Sequence, residues 1–141
     1  MTGGRMRGTM GQAGYQPTRV ILALVVAWLG LWVHELYRVP SMFGLTPDVS
    51  LPLFAIAIAL LIWWLLATNK RTPSIALLVY ALINGIGGFL SVLPLPFIPF
   101  VPEQEVAHYL IHAIYALCQI PLIIVASVAI MAPSSGKQSR A

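Results

Sequence analysis

Charge is what this sequence has least of. Only 9% of its 141 residues are Asp, Glu, Lys or Arg, against 59% hydrophobic, whereas a soluble globular domain carries about 25% charged residues. A soluble chain this short buries only about two-thirds of the surface its unfolded form exposes. That is too little to hide so much apolar area, and a mean hydropathy of +0.87 assigns the chain to lipid. Thiols are nearly missing as well. The single cysteine, Cys118, excludes an intramolecular disulfide and the paired-thiol exchange of membrane disulfide oxidoreductases.

Motifs of enzymes are missing too. There is no Gly-rich phosphate loop and no Ser nucleophile elbow. His34-Glu35 does not open a zinc-protease helix, because Arg38 stands where the second histidine belongs. His108 and His112 have the right spacing, but Tyr109 replaces the Glu that would act as general base. No internal repeat of the transporter kind is visible. No charged residue falls in the central part of any apolar segment, which disfavours a proton-coupled transporter.

What remains is four apolar segments, expected as helices over about 18–39, 51–68, 73–92 and 105–131. Each is long enough, at about 1.5 Å per residue, to approach or cross a hydrocarbon core of roughly 30 Å. Pro40 ends the first, Asn69 to Thr72 make a tight polar hairpin, and Pro73 suits the first turn of the third. Pro94, Pro96, Pro99 and Pro102 forbid a regular helix between the third and fourth, and Pro121 falls inside the fourth. Residues 1–17 read as a disordered, Gly-rich basic tail with no cleavable signal, and 133–141 as a short polar tail.

The charges fix an orientation. Arg5, Arg7, Arg19, Lys70, Arg71, Lys137 and Arg140 fall on one side of four spans, while Glu35, Asp48, Glu103, Glu105 and Arg38 fall on the other. Basic loops stay in the cytoplasm. The sequence therefore predicts an all-α, integral membrane four-helix bundle over 18–132 with both termini cytoplasmic. The pI of 9.6 is then topogenic, and no nucleic-acid partner is implied. A bacterial or archaeal plasma membrane is the expected location.

Helical periodicity sorts the few polar residues onto inward stripes. These are Ala23, Ala27, Gly30 and His34 on the first helix and Ala81, Asn84, Gly88 and Ser91 on the third. The fourth carries His108, His112, Tyr115 and Gln119, with Glu105 beside them. Asn84, Tyr115 and Gln119 are expected in the bundle interior, with Asn84 and Gln119 near enough in depth to bond each other. The second helix offers only Ala55 and Ala59 and should face lipid or another subunit. Cys118 sits on a different face from His112 and reads as packing.

The leading functional expectation is a non-enzymatic structural or interaction subunit of a membrane assembly, in contact with lipid and with copies of itself or other subunits. The alternative is an outward-facing cofactor site. His34 and His112 are candidate axial ligands of haem b. His34, His108, His112, Glu105 and Glu35 are candidate ligands of a divalent metal, since histidines at i and i+4 point the same way. Small-solute or proton transport is a further alternative, and an outward-facing pH sensor the last.

Overall fold

The computed structural model describes residues 16–38, 50–96 and 104–132, and these are helical in four stretches. They are α1 (Pro17–Arg38), α2 (Ser50–Leu66), α3 (Arg71–Leu82) and α4 (Val106–Met131). A π-helical turn over Ile83–Gly87 and a last α-turn over Gly88–Leu90 extend α3 without a break. The expected all-helical fold is what the structure has, with helix ends within about two residues of the apolar segments. The two tails, most of the first loop and much of the proline-rich segment lie outside the described residues.

Three helices, α1, α3 with its extension, and α4, are long and apolar enough to cross a membrane. At 17 residues α2 is shorter, near the lower end of the roughly 17–25 residues that spanning helices use. Large apolar side chains are exposed on every helix, Leu22, Ile62, Ile83 and Leu117 among them. A water-soluble bundle would hide these. The helices are those of a membrane protein.

The helices run antiparallel in chain order, and the pairings show it. Ala27 and His34 of α1 meet Gln119 and His112 of α4, and Trp64 and Leu53 of α2 meet Ser74 and Tyr80 of α3. The α1–α4 interface is the most extensive, followed by α3–α4. Proline inside α4 does not end that helix, which continues through Pro121 to Met131.

The polar hairpin between α2 and α3 is welded by side chains. Lys70 Nζ donates to the carbonyls of Trp64 (2.6 Å) and Leu65 (3.0 Å), satisfying groups left open at the end of α2. The same ammonium stands 4.8 Å above the Trp64 ring. Trp64 Nε1 donates to Ser74 Oγ, and Ser74 Oγ donates back to the Lys70 carbonyl. Trp64 is therefore buried, while Trp63 beside it is exposed. On α2 it is Ala57, not Ala55 or Ala59, that faces inward.

The bundle has two unlike halves. At the hairpin end, Val20, Ala23, Leu24, Ala57, Trp64, Leu77, Leu122 and Ala126 form a dry apolar core. At the other end polar groups are buried as well, Glu35, Asn84, His112 and Gln119, beside Leu31 and Val92. Between them, two glycines set how closely the helices approach. A Cβ on Gly30 would stand 2.5 Å from Cys118 Cβ, and one on Gly88 would stand 2.4 Å from the Tyr115 ring. Cys118 is thus a packing residue, pressed against the bare backbone of α1.

Gly30→Ala should force α1 and α4 apart and cost about 1–3 kcal/mol, lowering the thermal unfolding midpoint in mild detergent. Gly87→Ala, whose Cβ meets no atom within 4 Å, should leave the midpoint unchanged or slightly raised.

Candidate functional site

The polar half encloses a cavity of about 770 Å³. Its wall includes His34, Glu35 and Arg38 from α1, Leu53 from α2, Asn84, Gly88 and Ser91 from α3 and its extension, and His108, His112 and Tyr115 from α4. Every helix contributes, because the antiparallel order brings the C-terminal ends of α1 and α3 to the N-terminal ends of α2 and α4.

The chemistry centres on two histidines. His34 Nε2 lies 3.0 Å from His112 Nε2, with the ring centres 4.5 Å apart and nearly perpendicular. The opposite nitrogen of each ring is paired with an oxygen. His34 Nδ1 lies 3.0 Å from Glu35 Oε1, and His112 Nδ1 donates to the Gly88 carbonyl at 2.5 Å. A carbonyl can only accept, so the His112 proton belongs on Nδ1. His112 Nε2 is then an acceptor, and His34 Nε2 donates the hydrogen bond that joins the two rings. Glu35 Oε1 also lies 3.9 Å from the Arg38 guanidinium.

His108 stands one turn before His112, its ring centre 4.6 Å from that of His112 and 6.5 Å from that of His34. Three imidazoles and one carboxylate of the five-residue metal set thus line one cavity. Glu105 does not join them; it is exposed at the cap of α4, outside the cavity wall. Among the described residues, no group of three or more His, Cys, Asp or Glu side chains is placed so that it could hold a metal ion.

A second chain of hydrogen bonds runs beneath the first. Tyr115 Oη donates to Asn84 Oδ1 at 2.6 Å, and Asn84 Nδ2 donates to the Tyr80 carbonyl at 2.7 Å. The Tyr115 ring stacks 5.9 Å from that of His34. Gln119 Nε2 donates to the Ala27 carbonyl, while Gln119 Oε1 is buried with no hydrogen-bond partner among the described residues. Asn84, Tyr115 and Gln119 are interior, but the expected Asn84–Gln119 bond is not made. Asn84 takes Tyr115 instead, because Gly85 rather than Asn84 lies against the Gln119 side chain.

Glu35, a candidate ligand from the sequence, is fully buried, its exposure 0%. Two features escaped sequence reasoning. One is the π turn, and such turns occur often at functional sites; its Gly-Ile-Gly-Gly run was the available signal. The other is the Gly88 carbonyl, a backbone acceptor on which sequence is silent.

Asn84→Leu should orphan the Tyr115 hydroxyl and cost about 1–3 kcal/mol. Gln119→Leu removes a side chain that already carries an unpaired acceptor, and should change stability by less than about 1 kcal/mol. Thermal unfolding of both variants in one detergent separates the two.

No family model matches the chain, and no curated protein or solved structure is similar to it.

Proposed function

We propose that this chain is a non-enzymatic, four-span membrane protein, both termini cytoplasmic, that binds a small polar or cationic ligand entering from the outer side. The observation that carries this reading is the gathering of polar groups from α1, α3 and α4 around one cavity of ligand size, about 770 Å³. Binding sites typically occupy roughly 300–1,000 Å³, with apolar walls and a few convergent polar groups. Leu31, Leu53 and Ile83 supply such walls here, and the histidines, Asn84 and Tyr115 the polar groups. A purely structural bundle gains nothing from polar groups placed around a void, since interhelical contacts in lipid are strongest when closely packed.

Ionisable groups inside a membrane segment generally mark a ligand, ion or proton path. Glu35, His34 and His112 meet that description, and all lie toward the side expected to be external. Haem fits the pair less well. An iron held between two axial histidines needs nitrogens about 4 Å apart, with a porphyrin plane between the rings. Nitrogens at 3.0 Å and ring centres at 4.5 Å leave no slot for it.

Cysteine accessibility tests the reading. In a Cys118→Ala background, Ser91→Cys on the cavity wall should react with a membrane-impermeant maleimide added outside intact cells. Thr72→Cys in the hairpin should react only after the cytoplasmic face is opened. A Ser91→Cys thiol that is inert, or that reacts only from the cytoplasm, rejects the outward-facing site.

A further inference from the structure

We infer that Glu35 and His34 together hold one bound proton, taken up from the outer side, and so form a buried proton-binding site on the cavity wall. This rests on the outward-facing cavity proposed above for its route to water, and it names the proton as a further ligand of that site.

The inference is a count of hydrogens. Glu35, His34, His112 and the Gly88 carbonyl make a chain of three contacts, at 3.0, 3.0 and 2.5 Å, all short enough for hydrogen bonds. Each link needs one hydrogen. A neutral imidazole carries one N–H, so the two histidines supply two, while a carbonyl and an ionised carboxylate supply none. Two hydrogens cannot close three links. One more proton completes the chain.

Its position follows from the far end. The Gly88 carbonyl takes the His112 Nδ1 hydrogen, and His112 Nε2 accepts from His34 Nε2. The one N–H of a neutral His34 ring is then already used, so the hydrogen between His34 Nδ1 and Glu35 Oε1 is the added one. It resides on the carboxyl, as an acid donating to nitrogen, or on the ring, as an imidazolium donating to carboxylate. Either form places the same proton on the same contact and leaves the pair uncharged overall. That suits the surroundings, because Glu35 is fully buried and a lone charge within a membrane helix is costly. With the proton gone, a carboxylate oxygen and a nitrogen lone pair would face each other at 3.0 Å.

The other ionisable groups on the cavity wall are Arg38 on α1 and His108, His112 and Tyr115 on α4; α2 and α3 with its extension bring none. Arg38, 3.9 Å from Glu35 Oε1, is the cation that takes up the carboxylate charge when the proton leaves. The site binds a proton rather than passing it across. Its chain ends at a backbone carbonyl, and the Tyr115–Asn84 chain beneath it ends at another, that of Tyr80. Beyond them the hairpin half is a dry apolar core around Leu24, Leu77 and Leu122.

The test uses full-length protein in lipid nanodiscs, with nitrogen-15 in its histidines and carbon-13 in its glutamates. Near neutral pH, NMR and infrared spectra should show either a protonated Glu35 carboxyl or a doubly protonated His34 ring. Raising the pH should release one proton per chain from the pair and leave Glu35 ionised. In Glu35→Gln an amide N–H can donate to His34 Nδ1 in place of the acid. That variant should fold, keep His34 protonated on Nε2 alone and lose the proton release entirely. An ionised Glu35 beside a singly protonated His34 in the wild type near neutral pH overturns the inference, a readout that needs no variant. Equal proton release from wild type and folded Glu35→Gln overturns it as well. If the proton is absent while Ser91→Cys still labels from outside, the cavity stands and the proton site alone is wrong. If the proton is bound but Ser91→Cys labels only from the cytoplasm, uptake from the outer side is overturned together with the outward-facing reading.

Discussion

A hydrogen bond between two imidazoles, each held from behind by a second polar partner, organises the polar half of this protein. Hydrocarbon offers no hydrogen bonds, so unmet polar groups there are costly. The Glu35–His34–His112–Gly88 chain spans from α1 through α4 to the backbone of α3. Each link depends on helix backbones approaching closely, which Gly30 and Gly88 permit because neither has a side chain in the way. Enlarging either glycine would lengthen the polar chain as well as loosen the packing.

The two halves of the bundle divide the work. The hairpin end is apolar and tied down by Trp64, Lys70 and Ser74, so it holds the helix register. The opposite end is polar and hollow, and its side chains are set by that register. A π turn lies at the boundary on α3, over Ile83–Gly87. Asn84 and Gly88, four residues apart, both face α4 from neighbouring turns.

Much of this was legible from the chain alone. Apolar run lengths and the prolines around them place the helices closely, because in lipid a span needs little else. The 3.6-residue period puts Ala23, Ala27 and Gly30 inward on α1, and His112, Tyr115 and Gln119 inward on α4, as found. Partner choice was not legible. Whether Asn84 meets Gln119 or Tyr115 depends on axial register of about one turn, which is decided by contacts at Gly30, Gly85 and Gly88 on different helices. Glu35 was legible as a candidate ligand, but its complete burial was not. The Gly88 carbonyl belongs to the backbone, and side-chain patterns carry no mark of it.

The tautomers of the two histidines follow directly from the polar chain and from nothing else in the fold. Nitrogen-15 solid-state NMR of histidine-labelled, metal-free protein in bilayers reads them directly. His112 should be protonated on Nδ1 and His34 on Nε2, with a hydrogen-bond correlation between the two Nε2 atoms. An unprotonated His112 Nδ1, or no such correlation, would contradict the contact from which the site is built.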